Sequence, residues 1–377
     1  MVPVSPTQHI SAAQETRELA QAIANRRSEV RVYPFVSLGD EAPAQKWDAY
    51  VRAHKQGTLF HLTPWLNSVE KSFGHTSRHF VALRGSEIVG VLPLVEIRSM
   101  FGGRMLVSVP YAVAGGILAD DRAVVDALWR QARELGEQID ANFIDLRSEH
   151  AQVDDLRQLQ GYAGFRKELP ETASEVLGWL PRKARADARN ARNKHGLTVE
   201  FNRRRTADVW RLYCRNMRRL GSINYPLAFF ERLVDGFGDD AIVQVVRNGS
   251  RIIGGLVSFR FQKTFLPYFV GCDERFNRCN TNHFVYMTAM ERAVEMGCTV
   301  FDFGRTRRDN EGSFNFKRFF GFEPTPLEYQ RYVYPGKALP NLTPSNPRFQ
   351  LARQIWKHMP MSFCTAAGAR LSRHLPG

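Results

Sequence analysis

Cysteine is scarce and unpatterned in this chain. The five residues, Cys214, Cys272, Cys279, Cys298 and Cys364, are odd in number and form no CxxC pair. That argues against a zinc site and against a disulfide framework, and points to a reducing compartment. Long apolar runs are missing too. No stretch approaches the roughly 18–20 residues of a membrane span. The start, MVPVSPTQHISAAQ, lacks the basic-then-apolar order of a secretory signal. A soluble, cytoplasmic protein is expected. Carboxylates are in deficit: 38 Asp and Glu stand against 52 Lys and Arg, a formal net charge of +14. Such a balance favours an anionic partner, whether RNA, a nucleotide-linked sugar or an acidic membrane face. No catalytic triad emerges either. Ser258, His283 and Asp302 are present, but nothing in their spacing brings them together. His61, His75, His79 and His195 read as structural or surface histidines.

What is present is organised in two similar runs. With 377 residues and 44% hydrophobic content, the chain can build about two domains. Strands are expected over 30–36, 80–83, 88–95 and 142–146, and helices over 46–53, 61–73 and 126–139. Thr63 is the expected N-cap of the second helix, with Pro64 at its first helical position. The order then recurs. Strands are expected over 197–201, 241–247, 252–261, 265–270 and 299–303, and helices over 207–220 and 283–296. Asn248-Gly249 is a strong hairpin turn. FVALRGSEIVGVLPL resembles VQVVRNGSRIIGGLVSF, and NFIDLR resembles TVFDFGR. The offset is 164 residues for Gly85 against Gly249 and 157 for Asp145 against Asp302. Near-equal offsets in one order indicate a duplicated unit. The fold class is therefore α/β with mixed sheets. The expected layout is a flexible segment over 1–28, a first domain over 29–178, a basic helix over 179–196, a second domain over 197–335 and an amphipathic tail over 336–377.

Three segments carry chemistry. The run VFDFGRTRRDNEGSFNFKRFFGFEP (300–324) reads as a buried strand over 300–303, a Gly-Arg turn, a charged loop, and aromatics interleaved with Lys317 and Arg318. A strand ending at Gly304 and Arg305 would put a guanidinium at a sheet edge, where it can grip an anion. The run LPRKARADARNARNKHG (180–196) is helical by propensity, with Pro181 at a plausible first position. Arg185, Arg189 and Arg192 share one face at i, i+4 and i+7, beside Arg182, so a phosphate clamp or a solvated helix is expected. The tail, FQLARQIWKHMPMSFCTAAGARLSRHLPG, is amphipathic and could dock on the body or on an anionic membrane.

FDFGR followed by GSFNFKRFFGFEP resembles the closing signature of FemAB-like transferases, the aminoacyl- and acyl-transferring relatives of the GNAT superfamily. The resemblance covers about residues 30–335 and implies tandem GNAT-like domains. FemAB-like proteins carry a similar basic helix before the second domain. The NPRF…IWKHMP…GARLSRHL tail resembles that of relatives associated with exosortase (PEP-CTERM) and exopolysaccharide gene clusters.

The resemblance implies an acyl- or aminoacyl-transferase acting on an amine or hydroxyl of a cell-envelope or exopolysaccharide glycan precursor. It would work by substrate positioning and oxyanion stabilisation. Lys317 is the motif lysine carried over, with Phe316 beside it to bind substrate. It would neutralise developing charge or hold an acceptor's anionic group, Arg305 would do similar work from the strand end, and Asp302 is a conceivable general base. Tyr268 could offer a hydroxyl, with core packing as the plainer reading. A coenzyme A site normally needs a Gly-rich turn before a helix. The turn NRCNTNH (277–283) has no glycine, although Arg278, Asn280 and Asn282 could donate side-chain bonds. Gly115-Gly116 before the first-copy helix is a weak signal, with Asp120-Asp121 nearby to repel phosphate. The donor thus stays open between acyl-CoA and aminoacyl-tRNA, with no tightly bound cofactor. Expected partners are a nucleotide- or lipid-linked glycan acceptor, tRNA, and the inner membrane through the tail. Two other classes remain: a catalytically silent GNAT-like scaffold, and a nonspecific RNA-binding protein, which explains the charge but not the duplication.

Overall fold

The computed structural model describes residues 29–35, 41–154, 156–159, 161–337 and 347–375. The segment 1–28 lies outside them. The fold is mixed α/β, with three sheets among the described residues. A four-stranded sheet runs Val30–Pro34, Phe80–Arg84, Glu87–Leu92, Leu118–Ala119. A six-stranded sheet runs Thr76–Ser77, Val95–Ser99, Gly103–Val107, Phe143–Leu146, Tyr329–Val333, Arg157–Leu159. A seven-stranded sheet runs Thr198–Phe201, Ala241–Asn248, Arg251–Phe261, Thr264–Cys272, Val300–Arg307, Tyr162–Glu168, Pro324–Pro326.

The two hairpins form as their turn chemistry requires. Gly85 and Gly249 take φ of +63° and +57°, and Arg84 pairs with Glu87 as Asn248 pairs with Arg251. Long-range pairing does not follow the chain division at 178. Tyr162–Glu168 pairs antiparallel with Val300–Arg307, and Tyr329–Val333 pairs antiparallel with Phe143–Leu146. Each half thus lends a late strand to the other's sheet. The repeated aspartates sit at these seams. Asp302 opposes Arg166 and bonds it at 3.0 Å, and Asp145 opposes Arg331 and bonds it at 2.7 Å.

The halves also share one apolar core. Trp65 of helix Thr63–Phe73 lies against Phe229, Phe259 and Tyr268 of the second half, with ring centroids 5.1–6.3 Å apart. Such a continuous aromatic contact opposes hinge motion between the halves.

Four local expectations are corrected. The N-cap before Thr63 is Leu62, because the Thr63 N–H and hydroxyl both donate to Asp48 at 2.8 Å. Pro181 is the N-cap of Arg182–Asn193 rather than its first residue, and its carbonyl accepts from the Arg185 N–H. The strand at Val300 continues through Gly304 and Arg305 to Arg307, so no turn ends it there. The aromatic run after it forms the helix Glu311–Phe319. The tail forms two helices, Pro347–His358 and Met361–Leu371, that dock on the body: Arg353 donates to the Leu220 carbonyl, and Arg218 to that of Met359.

Candidate active site between the two halves

The site is built around a β-bulge. Gly164 pairs with Arg305 and Arg166 with Asp302, so Phe303 and Gly304 together oppose Phe165. Gly304 supplies the positive φ, +65°, that such a bulge needs. Phe301 and Phe303 point into the helix-covered core, whereas Arg305 is turned to the shared face. There its guanidinium lies 4.7 Å from the Tyr162 ring centre and 5.7 Å from that of Tyr329. The Tyr329 hydroxyl donates to the Val113 carbonyl, and that of Tyr268 to the Tyr111 carbonyl. Both tyrosines therefore tie the second half to the loop 108–117 of the first.

Arg147 joins this cluster. It is 6% exposed, and burial together with the Arg305 charge pushes its pKa down. Arg147 and Arg305 close the two repeated sequences NFIDLR and TVFDFGR, so the duplication brings two guanidiniums toward one another. Two like charges near each other in a half-dry space favour an anion between or beside them.

A cavity of about 440 Å³ adjoins the cluster. Gly115, Gly116, Thr58, Ser148, Arg122 and Arg166 are among its walls. Ser148 is 5% exposed and its hydroxyl has no partner among the described residues. A Cβ on Gly116 would come within 2.1 Å of Gln152 Oε1, so a larger residue there must push Gln152 away. Asp120 and Asp121 are not among the walls of the cavity. Asp120 accepts from Tyr50, and Asp121 accepts from the Val124 N–H and Arg84. Arg166 links cavity and bulge: it lines the cavity and also bonds Glu149 and Asp302.

In the second half, Thr264–Cys272 and Val300–Arg307 pair in parallel only at Thr264–Val300 and Phe265–Phe301. Beyond that register the ladder stops, and Tyr268 and Arg305 lie past the fork.

Residues 181–318 match the model of the acetyltransferase (GNAT) domain. This stretch is similar to that domain. Solved structures agree on the fold. The crystal structure of FemX superposes with a TM-score of 0.62 at 17% identity, covering 78% of this chain and 97% of that one. L-PGS from Bacillus licheniformis superposes at 0.52 with 14% identity, covering 86% and 96%. No curated protein matches the sequence.

The sequence-derived site residues fall in separate places on this stretch and its flanks. Arg305, Asp302 and Tyr268 share the interhalf face. Lys317, expected to meet developing charge or an acceptor's anionic group, is instead buried against the bulge. It is 7% exposed, and its ammonium donates to the carbonyls of Phe303, Gly304 and Arg305 at 2.8, 3.1 and 3.1 Å. Burial pushes its pKa down to about 7, yet three acceptors call for the three donors of an ammonium. Lys317 therefore holds the bulge that aims Arg305. Asp302 is committed to Arg166 and to the Gly304 N–H, which leaves it poorly placed as a general base. Phe316 packs on Tyr286 and His283. Asn280, at φ +56°, reaches Asp187 of the basic helix at 3.4 Å, beside half-buried Asn282 and exposed Arg278. That helix buries Ala184, Ala188 and Ala191, and exposes Arg182 and Arg189. Arg185 is half-buried, and Arg192 is spent on Glu291 at 2.7 Å. The common Arg face thus lacks one of its three expected members.

Sequence reasoning missed Arg147, Ser148, Arg166 and the tyrosines Tyr162 and Tyr329. The matched repeat was a signal for Arg147. The others depend on strand exchange.

Replacing Gly304 tests the bulge. Gly304→Ala forces a Cβ into the left-handed region, 3.1 Å from Val113 Cγ2. The expected loss is about 1–2 kcal/mol of stability, and Gly304→Val should lose more. Urea denaturation measures both.

Proposed function

We propose that this chain is an acyltransferase that moves an acyl or aminoacyl group onto an amine or hydroxyl of a glycan precursor. Its tail sequence suggests a place beside exosortase or exopolysaccharide systems. The observation that carries the reading is the coupling of a polar first-half cavity to the forked strands of a GNAT domain through Arg166 and the Arg305 bulge. The cavity suits an acceptor with hydroxyl and anionic groups. The fork suits the acyl donor. In the reaction the acceptor's nitrogen or oxygen attacks the donor carbonyl. The carbonyl becomes an oxyanion, the bond to the departing thiol or tRNA hydroxyl breaks, and the acceptor's proton leaves with that group. No side chain among those described is placed as an obligatory base, which fits catalysis by positioning. Arg305 would steady the developing charge or an anionic substituent beside it.

Purified protein should be melted with acyl-coenzyme A, bulk aminoacyl-tRNA and nucleotide sugars, because a donor that binds the folded state raises Tm by mass action. A shift with aminoacyl-tRNA but not uncharged tRNA identifies the donor, and a shift with acyl-coenzyme A identifies the other. Transfer to amino-sugar acceptors should then fall about 10²-fold in Arg305→Met, the usual scale for losing one charge-stabilising group. No shift and no transfer with either donor class would reject the enzyme reading in favour of a silent scaffold.

A further inference from the structure

The tail helices carry more than a docking contact. From residue 347 to 375 the chain has five Lys or Arg and no Asp or Glu. On the docked helices Leu351, Ile355 and Phe363 remain 67%, 53% and 48% exposed. Large apolar side chains exposed together on two short consecutive helices mark an interaction face. Further along the second tail helix and just past its end, Arg370, Arg373 and His374 line an open groove of about 470 Å³ against Ser72, Phe73 and Gly74. Neither Arg370 nor Arg373 has a carboxylate partner among the described residues. The Ser72 hydroxyl is buried without a partner among the described residues. Arg373 also lies over Gly74, where a Cβ would stand 3.3 Å from its Nη2. A hairpin tip with exposed Met100 and Phe101 reaches the same end of the tail, Phe101 lying 6.4 Å from His374.

We propose that this face seats the protein on a bilayer bearing anionic phosphate headgroups. The groove takes a headgroup phosphate between Arg370, Arg373 and the Ser72 hydroxyl. Leu351, Ile355 and Phe363 enter the interfacial layer. Charge decides the occupant: an acid-free cationic strip beside apolar side chains matches an anionic lipid surface. A neutral bilayer lacks the charge to hold it. Among the described residues no helix is long and apolar enough to cross a membrane, so the contact is peripheral. This inference is independent of the reaction proposed above.

Co-sedimentation of the full chain with vesicles tests it. Binding is expected on phosphatidylcholine vesicles containing phosphatidylglycerol, absent on phosphatidylcholine alone, and weaker in high salt. The double variant Arg370→Gln/Arg373→Gln should partition about thirty-fold less, from roughly 1 kcal/mol per surface cation. Leu351→Ser/Ile355→Ser, at exposed positions, should also bind more weakly with unchanged Tm. Equal binding to both vesicle types overturns the proposal, as does indifference to the arginine change. If inorganic phosphate raises Tm while no vesicle binds, the groove is a soluble-anion site and the membrane reading fails.

Discussion

Acidification from pH 7 to pH 5 should weaken the fold by about 6 kcal/mol, because three histidines are buried neutral. Burial lowers the pKa of His61 to about 4, of His75 to about 4 and of His79 to about 3. His61 and His79 each accept a backbone N–H at one ring nitrogen, which only a neutral ring can do. His61 accepts from the Thr58 N–H and faces the Gly116 carbonyl at 3.2 Å. His75 meets the Tyr111 hydroxyl at 2.8 Å, and that hydroxyl donates to the Ser372 carbonyl. His79 accepts from the Leu94 N–H, and its other ring nitrogen has no partner among the described residues. Unfolding releases the rings to their ordinary value of 6.5. Their contribution is therefore complete above pH 6.5 and is lost as pH falls toward 4. Each contributes roughly 2 kcal/mol of the change between pH 7 and 5. Urea melts at the two pH values check this, and His79→Leu should remove about a third of the difference. Equal stability at both pH values would show that the rings are already charged or already wet.

Lys317→Ala should be the most damaging single change at the site. It deletes a buried ammonium and leaves three strand carbonyls without their donor. Removing one side of a buried charged network costs about 3–5 kcal/mol. Transfer activity should fall as well, because the bulge that turns Arg305 to the shared face loses its anchor. Lys317→Met, which keeps the chain and discards the donors, should destabilise nearly as much. A variant that melts like the wild type but is inactive would instead make Lys317 a group that meets substrate.

The two hairpins were legible in the sequence because their information is local. Gly85-Ser86 and Asn248-Gly249 state their own turns, and the flanking β-branched residues state their own strands. The duplicated unit was legible for the same reason, since like segments recur in one order. The exchange of Tyr162–Glu168 and Tyr329–Val333 was not, because a strand's partner more than a hundred residues away leaves no mark on its own pattern. The place of Lys317 was hidden by its neighbours. Phe314, Phe316, Phe319 and Phe320 surround it, so the run reads as an aromatic surface. Only the three-dimensional bulge reveals why a cation is needed beneath them. The basic helix was legible as a helix, yet the fate of Arg192 depended on Glu291, nearly a hundred residues on.

The exchanged strands also dictate an order of events during synthesis. When the first half leaves the ribosome, strand Phe143–Leu146 still lacks its neighbour Tyr329–Val333, and Tyr162–Glu168 has nowhere to pair. The nascent first half therefore waits with one sheet edge open until residue 333 has emerged. Its sheet is therefore completed only after the second half has been translated.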